Sequence, residues 1–561
     1  MLLLFYLCAL FWLEFALYTS NFAHLAHCSS TNDQLDSYDT FYINQLIDHT
    51  CGESCGTFSQ RVIFNSSYAA NKQKQGGTIS SSPLLILVGG EYDIETWWEI
   101  MGAETGSLAS SESAVVAALE HRYFGNSFPE QPPSLGNLST LSPAIAAKDV
   151  YTALPLILIG LNLNIATTRI VLLGCSYSGT VAAYTQSTES IAGVYASSTP
   201  VQPEVEMESY HVTMAEAFAD PAAGGSPQCS ALITGALQNA SSMMARGSFI
   251  ELQDAWASCS PITELNDARF MFYNTVDIAF GSIYVQENTE RFIPYVCYFL
   301  SYAVDGLGAS PAEAWRQLLV NVTFAAASGC TPGGGTGDWN AYIAQIASPN
   351  ATYVGSSSTR SDRQWWYLQC AHVGWMHTCT YNGHCPYASP GIDFDPLPVD
   401  WYAELCQGAF GLSINDTSLG VAALEPLASA SMSSSNIFAI NGDADPWHVI
   451  SLLPPPTSTR ILVGGSWHCA DMGAPMNSDP QGLAAARLAV AAQVHIWFES
   501  NDGDNNNSKS NTSGLRVGAI IGIVIASVAI VALVVGYRVY KANKQNNTIN
   551  YTELKKSLID L

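Results

Sequence analysis

The chain of 561 residues is 48% hydrophobic and only 12% charged, a balance that excludes an intrinsically disordered protein and leaves ample apolar material for large folded cores. Its formal charge of −26 argues against nucleic acid as a partner, because a polyanion would meet a like-charged surface. The same acidity is tolerable in an acidic lumen, where carboxylates are partly neutralised.

Residues 1–26 read as a secretory signal: the apolar run MLLLFYLCALFWLEFALYTS is followed by small residues at Ala23 and Ala26. The run lacks a basic start and Glu14 interrupts it, so an uncleaved anchor is the alternative. Fourteen cysteines are present, and with Cys8 assigned to the signal an odd number remains in a segment expected to face an oxidising compartment. Disulfides are therefore expected, with one thiol left over, and Cys175 is the candidate for it. Cys51 and Cys55, or Cys370, Cys379 and Cys385, are of zinc-ligand type, but disulfides are favoured in a secreted chain, and no metal or cofactor is expected.

The first part of an α/β domain is expected over 27–200. Short apolar runs at Leu84–Val88, Ala114–Leu119, Ile170–Leu173 and Val194–Ala196 have the look of parallel strands buried on both faces. Residues 201–435 differ, with helical patterns such as PAEAWRQLLV, many aromatics, Gly/Ser loops and most of the cysteines. They read as a mostly helical cap inserted over the C-terminal edge of the sheet. Two further strand runs, Ile437–Ile440 and Ile461–Val463, return to the sheet over 436–500. There Asp479 and Pro480 read as the cap and first-turn proline of a helix from Gln481 to about Phe498. Alternating strands and helices imply a doubly wound sheet.

Residues 501–514 read as a polar, Asn-rich stalk, and 515–536 as a transmembrane helix, whose uncharged run is long enough for a hydrocarbon core of roughly 30 Å. Arg538, Lys541 and Lys544 follow it, so the positive-inside rule places the tail, 537–561, in the cytosol and gives type I topology. Sequons at Asn65, Asn137, Asn239, Asn321, Asn350, Asn415, Asn506 and Asn511 agree with a lumenal or extracellular ectodomain. In the tail, Tyr551-Thr-Glu-Leu554 matches a Y-x-x-Φ signal, which points to a clathrin adaptor that takes Tyr551 and Leu554 in pockets and to an endosomal or lysosomal route.

The chemistry centres on Gly174-Cys175-Ser176-Tyr177-Ser178-Gly179. A serine hydroxyl is a poor nucleophile until an imidazole takes its proton, and the imidazole needs a carboxylate to fix its tautomer. Ser176 falls between a strand and a helix, as a nucleophile elbow does, and the Tyr177 N–H is the expected oxyanion donor. Asp445 in AINGDADPWH is the candidate acid, with Asp443 competing, and His468 in LVGGSWHCADM is the candidate base. Serine, aspartate and histidine in that order, each just past a strand, are the arrangement of an α/β-hydrolase.

With these pieces in place, the chain resembles the S28 serine peptidases. The likeness runs through QLIDH (45–49), TFSQRVIFN (57–65), LVGGE, EHRYFGNSFP (120–129), GCSYSG, ASSTPV, RQWWYLQC (363–370), NGDADPW, GGSWHCADM and DPQGLAAAR. It implies an α/β-hydrolase domain with a helical cap and a triad of Ser176, Asp445 and His468. Asp445 is preferred to Asp443 because the family's acid precedes Pro-Trp. The Gly89-Gly90-Glu91 turn is then the other oxyanion element, through an N–H near Gly90. The resemblance also implies cleavage of peptides next to proline, releasing either a C-terminal residue or an N-terminal dipeptide, with a homodimer kept open as the assembly. A proline ring needs a compact apolar pocket, for which Trp447, Trp365, Trp366 and Trp375 are candidate walls and Glu91 a further substrate-binding residue. Core packing is the alternative for any one of these tryptophans.

Three positions depart from the family: Ser178 stands for the usual second glycine of the elbow, Tyr92 follows Gly-Gly-Glu, and Ala371-His372-Val373 stands for Thr-Glu-Phe. The first is expected to strain the elbow, so that Ser178→Gly would retain or raise turnover. A non-catalytic receptor or adhesion ectodomain on a hydrolase fold is the rival from another class, and an esterase is disfavoured by the DPW and EHRYFG elements.

Overall fold

The computed structural model describes residues 37–69, 79–130, 135–185, 191–286, 292–322, 338–349, 362–454 and 459–499. The expected signal, stalk, transmembrane segment and tail lie outside these residues, with Tyr551 and Leu554, as do the side chains of Asn137, Asn321, Asn350, Asn506 and Asn511.

Eight strands form one mixed sheet: β1 (Asp39–Leu46), β2 (Thr57–Asn65), β3 (Leu84–Val88), β4 (Val115–Leu119), β5 (Ile170–Cys175), β6 (Ile191–Ser197), β9 (Ile437–Gly442) and β10 (Arg460–Val463). β7 (Glu204–Glu206) and β8 (Gly374–Met376) form a separate parallel pair. The sheet order is β1-β2-β4-β3-β5-β6-β9-β10, antiparallel from β1 through β2 to β4 and parallel from there on.

β3, β4 and β5 are buried along their whole length, and their side chains alternate between two cores. Leu84, Ile86 and Val88 enter the core shared with the helices Pro143–Gly160 and Ser176–Thr185. Leu85 and Leu87 enter the one shared with Ile94–Glu112 and Gln481–Glu499. Each such side chain contributes about 1.5–3 kcal/mol on burial, and two-faced burial is why these strands read as unbroken apolar runs. The helix Pro143–Gly160 opens in the expected chemical way: Ser142 Oγ accepts the Ile145 N–H at 3.2 Å and Pro143 occupies the first turn. Asp479, expected to cap Gln481–Glu499, instead pairs with Arg487 at 2.7 Å and accepts the Met476 N–H.

Two quoted motifs prove to be framework. Arg122 donates to both oxygens of Asp149 at 2.6 Å and to the carbonyls of Leu46, Ile47 and Thr140, while His49 Nε2 lies 2.7 Å from the same carboxylate. This buried cluster ties the end of β1 to the end of β4. Beside it, the Glu120 carboxylate accepts from Ser127 Oγ, the Asn126 N–H and the Ile94 N–H, and so holds the loop that follows β4.

The segment between β6 and β9 is mostly helical, with a π-helix at Asn274–Gln286. Its cysteines pair as Cys229–Cys297, Cys370–Cys406 and Cys379–Cys385, and Cys259 is also disulfide-bonded. Cys51 pairs with Cys55. Cys175 is not the free thiol: it is bonded to Cys469, because the turn after β5 and the loop that carries His468 lie side by side. Asn65 differs in setting from the other two described sequons. Its side chain is largely buried and its amide donates to the Ser37 carbonyl at 2.8 Å, whereas Asn239 and Asn415 are exposed.

Burial pushes the carboxyls of Glu120 and Glu104 up to about 7, the latter helped by the nearby Asp471. A proton thus binds both groups more tightly in the folded chain than at the ordinary unfolded value, so stability falls as pH rises from about 4.5 through about 7, by up to about 3 kcal/mol for each group. Denaturation midpoints are expected to drop between pH 5 and pH 7.5, and the double variant Glu104→Gln, Glu120→Gln to flatten that drop. A variant whose midpoint varies with pH as steeply as the wild type would contradict the assignment.

Candidate active site

Ser176 ends the turn from β5 into the helix Ser176–Thr185 and sits at φ +58°, a left-handed conformation that costs a residue with a side chain of the order of 1–3 kcal/mol. Its neighbours permit so sharp a turn by having no side chains: a Cβ on Gly174 would lie 2.6 Å from Gly179 Cα, and one on Gly179 only 2.0 Å from Thr199 Oγ1. Ser178 does not strain this turn. Its buried hydroxyl accepts the Cys175 N–H at 2.9 Å and donates to the Cys175 carbonyl at 2.8 Å, and so fastens the two sides of the elbow.

Asp445 follows β9 and is fully buried. One of its oxygens accepts the Trp447 N–H at 3.0 Å and the other lies 2.7 Å from His468 Nδ1. That contact assigns the Nδ1 hydrogen to the carboxylate side and leaves Nε2 as the basic nitrogen. Asp443 is spent elsewhere, accepting the Gly465 N–H at 2.6 Å. The loop carrying His468 is tied down at three points. Cys469 is bonded to Cys175, its N–H donates to Ser198 Oγ at 2.9 Å, and Asp471 accepts from Tyr195 and Ser197 at 2.6 Å each. Asp471 escaped the sequence reading, although its place three residues after His468 and the serines of ASSTPV were both in view.

Tyr177 packs behind the turn with its hydroxyl 3.2 Å from His121 Nε2, while His121 Nδ1 faces the Arg122 carbonyl at 2.7 Å. Burial pulls His121 down to about 4, so this imidazole is neutral near pH 7 and accepts from Tyr177. Gly90 lies against Trp97 and the Ser178 side chain, next to the elbow, and its neighbours Glu91 and Tyr92 form the adjoining cavity wall.

A cavity of about 90 Å³ opens beside Ser176 and Tyr177. All four candidate tryptophans line it, and all four are buried, so they serve as core and as wall together. Trp365 packs edge-on against Tyr177 at 5.7 Å, and Trp447 against Trp375 at 5.5 Å. The segment between β6 and β9 supplies the far side, including Asp277 and His377, neither of which belongs to a recognisable motif. Asp277 Oδ1 lies 2.8 Å from His377 Nδ1 and 3.2 Å from His211 Nε2. Of the departures from the family, Tyr92 enters the cavity wall, while His372 packs edge-on against Tyr367.

A mixed eight-stranded sheet with a sharp serine turn at the C-terminal end of a central parallel strand defines an α/β-hydrolase-like enzyme. More particularly, the chain belongs to the serine carboxypeptidase S28 family, which matches residues 45–490, and is accordingly a serine-type peptidase. It is 26% identical over 457 residues to the thymus-specific serine protease of Homo sapiens, covering 79% of this chain and 84% of that one. It is 23% identical over 487 residues to the human lysosomal Pro-X carboxypeptidase, covering 82% and 88% respectively.

Because the Ser178 hydroxyl makes two buried hydrogen bonds across the elbow, Ser178→Gly is expected to lower stability by about 1–3 kcal/mol and to slow turnover. Chemical denaturation and steady-state kinetics read the two effects. A variant as stable and as fast as the wild type would restore the view that the side chain is a burden.

Proposed function

We propose that the chain is a serine exopeptidase that hydrolyses peptide bonds on the C-terminal side of proline. The observation that carries this reading is the buried 2.7 Å contact between Asp445 and His468, on a loop covalently tied to the turn that holds Ser176. His468 removes the Ser176 proton as the hydroxyl attacks the proline carbonyl, and Asp445 stabilises the resulting imidazolium. The Tyr177 N–H and an N–H of the Gly90–Glu91 turn receive the oxyanion. His468 then protonates the leaving amine, and water, activated by the same imidazole, hydrolyses the acyl-enzyme.

Trp447 and Trp365 offer the proline ring flat apolar walls, and the name of the related Pro-X carboxypeptidase supports the same residue preference. The helical segment between β6 and β9 acts as a cap that limits access to chain ends. The disulfides fit a lumenal or extracellular catalytic domain, with 515–536 as its anchor, Asn239 and Asn415 as glycan carriers, and the tail signal routing it to endosomes or lysosomes.

The test is hydrolysis of paired peptides with proline or alanine before the scissile bond. Proline substrates are expected to be preferred, with Ser176→Ala reducing their turnover by about four orders of magnitude or more and Asp445→Asn by about four. Equal cleavage of alanine peptides would remove the proline assignment, and undiminished turnover by Ser176→Ala would remove the nucleophile.

A further inference from the structure

An exopeptidase must read a chain terminus, and the charge of the cavity wall says which one. Among the described residues lining it are two carboxylates, Glu91 and Asp277, one imidazole, His377, and no lysine or arginine. A free C-terminal carboxylate would meet like charge there, whereas an ammonium would meet its complement.

Asp277 is the group placed to receive it. The carboxylate is 2% exposed, and its Oδ1 is taken by His211 and His377. Its Oδ2 is buried and has no hydrogen-bond partner among the described residues. A buried ionised oxygen left in that state is costly, and on a cavity wall it marks where a donor belongs. Burial pushes the Asp277 carboxyl upward, but the two imidazoles together outweigh it and hold the group below the ordinary aspartate value. His211 faces both the Thr378 carbonyl and Asp277, and it shares Oδ1 with His377, so that Oδ2 is the oxygen left over.

The surroundings fix the position of this carboxylate. His377 stacks on Tyr210 with centroids 3.7 Å apart and meets Trp447 edge-on at 5.2 Å, so the imidazole that holds Asp277 is itself packed against the aromatic wall assigned to the proline ring. In a peptide cleaved after a penultimate proline, the α-nitrogen lies at most about 7 Å from the scissile carbonyl. Both groups therefore occupy one small cavity, and Ser176 and Asp277 both line this one.

We propose that Asp277, carried by the π-helix Asn274–Gln286, binds the free α-ammonium of the substrate, so that the cavity takes an N-terminal Xaa-Pro dipeptide and not a free C-terminus. This assignment rests on the prolyl peptidase reading above and selects between its two modes.

The experiment titrates the full-length chain with alanyl-proline and with N-acetylalanyl-proline, read by the fluorescence of the tryptophans that line the cavity. The two ligands share the proline and its carboxylate, so their difference isolates the ammonium. The free amine is expected to bind at least about 30-fold more tightly, and Asp277→Asn to bring the two within about threefold. Equal affinities, tighter binding of the acetylated ligand, or no binding of either overturns the assignment. The wild-type comparison decides this without the variant. Binding is read without turnover, so a chain that binds the free amine selectively yet cleaves no proline peptide loses the proposed function alone, and a proline peptidase that binds both ligands equally loses this assignment alone.

Discussion

The contact between His468 and Asp445 is the constraint around which the rest of the site is arranged. Burying a carboxylate as completely as Asp445 is costly unless its oxygens find donors, and here a backbone N–H and an imidazole N–H supply them. Such a pair needs a rigid platform. It is supplied by the parallel strands β5, β6 and β9, whose C-terminal ends present the serine turn, the hydroxyls that hold the histidine loop, and the aspartate in adjacent rows.

Covalent and polar ties converge on that row. The Cys175–Cys469 bond joins the residue before Ser176 to the residue after His468, and Ser198, Tyr195 and Ser197 anchor the same loop to β6. Ser178 fastens the elbow from within. Precision at this point is bought by a left-handed serine and by glycines packed too closely for any side chain, strain that only a heavily braced neighbourhood can hold.

The central sheet was legible because two-faced burial leaves a plain mark. Leu84–Val88 needs apolar residues at every position, and so does Ile170–Leu173. β1 carries no such mark because an edge strand alternates, with Tyr42 exposed and Ile43 buried, and in β2 the buried positions include the polar Gln60 and Arg61, which interrupt the apolar run. The candidate acid and base could be found because each follows a strand in a fixed chain order. Asp277, His211 and His377 could not, since they lie far apart along a segment with no repeating spacing and meet only where the π-helix packs against the helix Ser209–Ala219 and the chain that leaves β8. The pairing of Cys175 was hidden for the same reason, its partner lying 294 residues away.

The proposed mechanism makes one serine nucleophilic through one imidazole. The most direct measurement treats the full-length chain with a fluorophosphonate and locates the adduct by peptide mass spectrometry, in the wild type and in His468→Ala. The prediction is a single adduct on Ser176 whose rate of formation falls by at least about a thousandfold in the variant. An adduct on a different serine, or labelling of Ser176 at the wild-type rate without His468, would contradict it.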